Sequence, residues 1–127
     1  MARFRYQDEL ISEEIQQEIC PLTVTKNAIA GRWKIVILWH LSKNGVIRFN
    51  ELLRMLPGIS KGILTRKLRK LEEDELVLRE VYKVVPPKVE YSLTEQGEKF
   101  IPVLKAMQVW GEDLLSKKIE MHERQED

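Results

Sequence analysis

The stretch Phe49–Glu73, FNELLRMLPGISKGILTRKLRKLEE, decides how this chain folds. It reads as two amphipathic helices joined by the short turn PGIS, the pattern of a helix-turn-helix. Asn50 is placed to cap the first helix, Glu51 to Leu56, and Pro57-Gly58 ends it. Ser60 caps the second, which runs to about Glu73. Within it Leu64, Leu68 and Leu71 recur at i, i+4, i+7 and should face a core. Lys61, Thr65, Arg66 and Arg69 stand on the opposite side, flanked by Lys67 and Lys70. Between Ser60 and Lys70 there are five basic residues and no acidic one. A helix of about 14 residues is about 21 Å long and fits a major groove about 12 Å wide. Arg66 and Arg69 are the candidates for reading bases, because a guanidinium can grip guanine O6 and N7 with two hydrogen bonds. Lys61, Lys67 and Lys70 are candidates for phosphates, with Ser60 and Thr65 beside them on the same surface.

Working outward, Trp33 to Leu41 (WKIVILWHL) is apolar nearly all round and is expected as the core helix. A shorter helix, 23 to 30, precedes it and stops at Gly31; Pro21 marks a boundary upstream. Asn44-Gly45 is a turn, and Val46–Arg48 a short strand. Downstream, Leu76 to Tyr82 and Lys88 to Leu93 read as strands, the second alternating Val89, Tyr91 and Leu93 with Glu90 and Ser92. The proline-stiffened link from Lys83 to Pro87 is the tip of a hairpin, the wing, with Lys83 and Lys88 at its sides as candidate DNA contacts. Arg48 and Asn50 are further candidates for the DNA backbone. Thr94 caps a long last helix to about Gln125, in which Phe100, Leu104, Met107, Gly111 and Leu114 follow a 4-3-4-3 spacing. At the other end, residues 7 to 19 are expected to form an acidic helix with a thin stripe of Ile11, Ile15 and Ile19, too narrow to hold without docking on something. The element order implies a mainly α chain with a small β-wing, a winged helix-turn-helix. Its expected parts are an arm (1–19), a DNA-binding core (20–93) and a C-terminal helix (94–127).

Composition sets the class. At 127 residues the chain is one domain's worth, with hydrophobic residues at 43% and a net charge of only +1. The charge is unevenly placed: eleven basic residues and a single acidic one, Glu51, lie between Lys26 and Lys70. Acid collects before and just after that stretch, so one face should draw a polyanion. A lone cysteine excludes an internal disulfide, and neither a signal-peptide run nor a span of about 20 apolar residues is present. The expectation is a soluble cytoplasmic protein.

The run from Cys20 to Gly111 resembles the HxlR-type family of bacterial winged helix-turn-helix regulators. The resemblance is carried by Cys20-Pro21, AGRWK (30–34), RFNELLRMLPGISKGILTRKLRKLEEDELV (48–77), VPPKVEYSLTEQG (85–97) and VWG (109–111). It implies a repressor or activator that binds double-stranded DNA as a homodimer, with the first and last helices at the dimer interface. That assigns Ile11, Ile15, Ile19, Leu104, Met107, Gly111 and Leu114 to the interface. Glu75 departs from the family by standing where glycine is usual, and Gly62 stands where a larger residue is common.

The resemblance also makes Cys20 a candidate redox sensor, against the alternative of a small buried residue at a helix junction. His40 and His122 are too isolated to form a metal site with it. Trp33, Trp39 and Trp110 could line an effector pocket or simply fill the core. No phosphate loop, paired His and carboxylates, or nucleophile with a base is visible, so neither an enzyme nor a cofactor is expected. The competing function is a winged-helix interaction module whose basic face binds an acidic protein. The arginines along the helix after PGIS and the basic wing favour DNA.

Overall fold

The computed structural model describes Arg5–Tyr6, Glu9–Leu10 and residues 20–126. Packing divides the chain after Gly31, into Met1–Gly31 and Arg32–Asp127. In the first unit β1 (Arg5–Tyr6) pairs antiparallel with β2 (Glu9–Leu10), and α1 (Pro21–Ile29) follows. The acidic helix expected from residue 7 therefore does not include Glu9–Leu10, which the ladder holds extended. Ile11, Ile15 and Ile19 lie outside the described residues. α1 begins at proline, whose missing N–H and fixed φ suit a helix's first position.

The second unit runs α2 (Lys34–Asn44), β3 (Val46–Arg48), α3 (Phe49–Met55), α4 (Lys61–Glu73), β4 (Val77–Tyr82), β5 (Lys88–Leu93), α5 (Glu95–Lys99) and α6 (Ile101–Glu126). Its antiparallel sheet has the order β3-β5-β4, with Ile47 opposite Tyr91 and Arg79 opposite Tyr91 on the other side. This is the expected mainly helical fold with a small three-stranded sheet. The core gathers Ile37, Leu38 and Leu41 of α2, Ile47, Leu52, Leu56, the three leucines of α4, Leu76, Val77, Tyr91 and Leu104.

Three expectations change in detail. Asn50 does not cap α3. The helix starts two residues earlier, capped from Arg48, whose backbone N–H donates to Glu51 Oε1 at 3.2 Å. α2 is buried on one stripe only, Lys34, Ile37, Leu38 and Leu41, while Val36 on its other side is exposed. The last helix is two: Thr94 caps α5, its hydroxyl accepting from the Gly97 N–H at 3.0 Å, and a break at Phe100 separates α5 from α6. Pro102 is the reason. It has no N–H to give to the carbonyl of Glu98, and its ring crowds that carbonyl.

The end of α4 is built on an unusual residue. Glu75 has φ 61°, the left-handed region that glycine occupies without strain. The N–H of Leu76 donates to Leu71 O at 2.9 Å and that of Glu75 to Glu72 O at 2.9 Å, the paired bonds of a Schellman cap. Leu76 and Leu71, both buried, supply the apolar contact that accompanies it. The carbonyl of Glu75 then accepts from the Thr94 hydroxyl, tying the cap to the start of α5. Nearby, Gly97 packs so closely on Leu76 that a Cβ would overlap its carbonyl oxygen.

Glu75→Gly should relieve a left-handed strain of about 1–2 kcal/mol and raise the melting temperature by roughly 3–10 °C, whereas Glu75→Ala should give no such gain. Gly97→Ala should lose about 1–3 kcal/mol in the same denaturation series, because backbone must move to admit the methyl group.

Candidate nucleic-acid interface

α4 is two-sided as its spacing required. Leu64, Leu68 and Leu71 are fully buried, and Arg66 and Arg69 are exposed. Ser60 starts the helix with its hydroxyl accepting from the Ile63 N–H at 3.1 Å. Thr65 is half-buried and its hydroxyl donates to Lys61 O at 2.8 Å, so that group is already used within the helix. Lys61 is exposed, Lys67 half-buried, and Lys70 exposed within 3.6 Å of Glu73.

Beside this surface lies an open groove of about 1060 Å³. One wall is α4, through Thr65, Arg69 and Glu72. A second is α3 with the residue before it, through Arg48, Asn50, Glu51 and Arg54. The wing closes the third side through Arg79 and Pro86–Val89, with Tyr91 and Phe49 at the floor, their rings 6.5 Å apart. The structure thus brings Arg48, Asn50, Thr65, Arg69 and Lys88 to one groove, while Lys83 sits exposed at the wing tip. Arg54 and Arg79 were missed from sequence. Arg54 lies one turn after Asn50 on α3, and Arg79 alternates onto the Tyr91 side of the hairpin, signals that helix and strand periodicity contain.

Lys88 is less available than its position in the sequence suggests. Its ammonium lies 3.4 Å from Glu90 and 4.6 Å over the Tyr82 ring. The Tyr82 hydroxyl donates to Glu80 at 2.7 Å, and this bond with the Glu80 charge holds its pKa above the ordinary tyrosine value.

Of the interface candidates on α6, Leu104 belongs to the core of its own chain, only 2% exposed. Buried there, it helps to fix α6 to the domain and is not open to a partner. Met107 and Leu114 are exposed and Gly111 is half-buried. The tryptophans fill neither the core nor the groove: Trp110 is 68% exposed, and Trp33 and Trp39 are half-buried beneath Arg32 and Lys43. Cys20 is exposed, at the N-terminus of α1, which corrects the alternative of a buried junction residue. Among the described residues no cluster of side chains could hold a metal ion, and no helix is long and apolar enough to cross a membrane.

A capped recognition helix, outward arginines, and a wing that shares a groove with Arg69 define a winged helix-turn-helix regulator. Residues 28–119 match the HxlR-like helix-turn-helix family, and the chain belongs to it. It is similar to the HTH-type transcriptional regulator YdeP of Bacillus subtilis (strain 168), 50% identical over 95 residues that cover 75% of this chain and 73% of that one. An HTH-type transcriptional regulator of Methanothermobacter thermautotrophicus is 48% identical over 93 residues, covering 73% and 70%. Among solved structures it is similar to the redox regulator HypR in its reduced form, TM-score 0.72 at 46% identity, covering 77% of this chain and 99% of that one. The oxidised form of HypR gives TM-score 0.69 at 48% identity, covering 74% and 96%. The family and these HTH-type relatives are transcription regulators, not enzymes.

Lys34, in the first turn of α2, is buried. Burial lowers its pKa below 10.5 and the charges of Lys67 and Lys70 add to that, while Asp74 and Glu73 act in the opposite direction. A lysine with a lowered folded-state pKa holds fewer protons folded than unfolded, so stability rises as pH climbs from the lowered value toward 10.5. Lys34→Met should therefore melt higher than wild type at neutral pH. That advantage should shrink by about pH 10.5 in paired thermal melts.

Proposed function

We propose that this regulator is a repressor acting as a homodimer on a two-fold symmetric operator, with α4 in the major groove and the wing beside it. The observation that carries the reading is the exposure of Arg66 and Arg69 on a helix whose leucines are fully buried. Arg66 and Arg69 read bases; Lys61, Lys67, Lys70, Ser60, Thr65, Arg48, Asn50, Lys83 and Lys88 hold the backbone.

The dimer reading rests on α6. This helix has 26 residues, about 39 Å by helical rise, and every residue from 112 to 125 is exposed. Val103, Met107, Trp110 and Leu114 recur at i, i+4, i+7, i+11, an exposed apolar stripe that a second copy would bury. Two subunits each present one recognition helix, so half-sites lie about 34 Å apart.

Selection of bound genomic fragments followed by footprinting tests the assignment. A palindromic footprint is expected, and a single asymmetric half-site would contradict the dimer. Arg66→Ala or Arg69→Ala should cost about 1–3 kcal/mol and relax selectivity at particular bases. Leu114→Asp should yield monomers by sedimentation and weaken operator binding.

The exposed Cys20 and the similarity to a redox regulator support a thiol-responsive signal. Diamide should then release wild type from its operator and leave Cys20→Ser bound. The acidic-protein alternative predicts no discrete shift with any duplex at moderate salt.

A further inference from the structure

The strand register of the wing sorts its charges by face. Side chains directly opposite one another across a ladder point to the same side of the sheet, and neighbours along a strand point to opposite sides. Ile47, Tyr91 and Arg79 form one cross-strand row, and Val89 with Val81 lies on the same side. Arg48, Glu90 and Glu80 form the next row, on the other side, together with Lys88 and Tyr82, although Arg48 and Lys88 also border the groove. On that outer side two glutamates stand directly opposite each other, and the Lys88 ammonium is drawn to Glu90 at 3.4 Å. A polyanion approaching the outer face meets two carboxylates and a lysine already paired. On the inner side it meets Arg79, across the groove from Arg54 and Arg69. Of the carboxylates lining that groove, Glu51 is engaged by the Arg48 N–H. Glu72, on α4, is half-buried.

We propose that Arg54 of α3 and Arg79 of β4 together seat one DNA backbone phosphate in the groove between the recognition helix and the wing, so that helix and wing straddle a single strand. The inference rests on the DNA-binding reading above and adds to it two contacts and an orientation: the wing meets DNA with its Tyr91 side, and the Glu80–Glu90 side is turned away. A phosphodiester is the fitting occupant because the groove is open, polar and continuous with the outward face of α4. A guanidinium on each side can then donate to separate phosphate oxygens.

The test uses the full chain with its selected operator and an unrelated duplex of equal length, titrated between about 50 and about 200 mM salt. Arg54→Ala and Arg79→Ala should each weaken both duplexes by the same factor, roughly tenfold near physiological salt. Each should also flatten the slope of log affinity against log salt, and the double variant by about 0.9 in all, as one shared phosphate requires. Arg79→Lys should restore the slope, and Glu80→Gln on the outer face should change affinity by less than about twofold. Thermal melts establish that each variant is folded. Unchanged affinity and slope in both alanine variants, while Arg66→Ala still loses the operator, would remove the phosphate seat and leave the DNA reading standing. A loss confined to the operator at unchanged slope would make these arginines base readers and overturn the seat equally. A Glu80→Gln gain larger than the Arg79→Ala loss would reverse the orientation of the wing. Wild type binding neither duplex would end both readings.

Discussion

Burial of Leu64, Leu68 and Leu71 against the body of the domain is the constraint on which the rest depends. The three side chains occupy one stripe of α4, and a helix turns by about 100° per residue. Sliding that stripe by a single position would carry Arg66 and Arg69 well away from where they now stand. Truncating one such leucine would leave a cavity at a cost of about 2–5 kcal/mol. The same contacts that hold the fold therefore aim the arginines, so the chemistry of the outer face is positioned by the apolar chemistry of the inner one.

The ends of α4 are secured by different means. Ser60 satisfies an N-terminal amide with its hydroxyl, an arrangement without strain. Glu75 closes the C-terminus in a conformation that suits glycine better, yet all the bonds of the cap are made. What makes the strained residue tolerable is that its neighbours over-determine the turn: Leu71 and Leu76 are buried together, the Glu75 carbonyl is held by Thr94, and Gly97 lies against the Leu76 carbonyl. The recognition helix, the wing and the start of α5 thus meet at one junction, and a shift in any of them is felt by the others.

Much of this was legible in the sequence because it is written in local rules. The leucine spacing, the Ser60 cap, the turn at Gly45 and the alternation of β5 each depend on residues within a turn or a strand of one another. Expectation and structure part where two local rules compete or where the answer is not local. Pro102 breaks the last helix, a signal present but overridden by a strong 4-3-4-3 pattern. Asn50 was a good capping residue in the wrong place, because Glu51 bonds back to the amide of Arg48. Arg54 and Arg79 needed the tertiary arrangement, since nothing in the chain order says that α3 and β4 line one groove with α4. Leu104 shows the same limit in reverse. Its spacing placed it on an apolar stripe, but only the packing says that this part of the stripe is already covered.

A net charge of +1 conceals how completely the chain separates its charges. The separation operates at three scales: along the sequence, where basic residues crowd between Lys26 and Lys70; around α4, where leucine and arginine take opposite sides; and across one hairpin, where adjacent residues Arg79 and Glu80 point to opposite faces. Each uses a periodicity of the backbone to turn a nearly neutral composition into a surface with a charged side and a forbidden side. Attraction alone would let DNA settle on the wing in several ways. On the proposed reading, carboxylates on the far face would make the wrong approach unfavourable, and the orientation in the groove would follow from repulsion as much as from the arginines that would hold the phosphate.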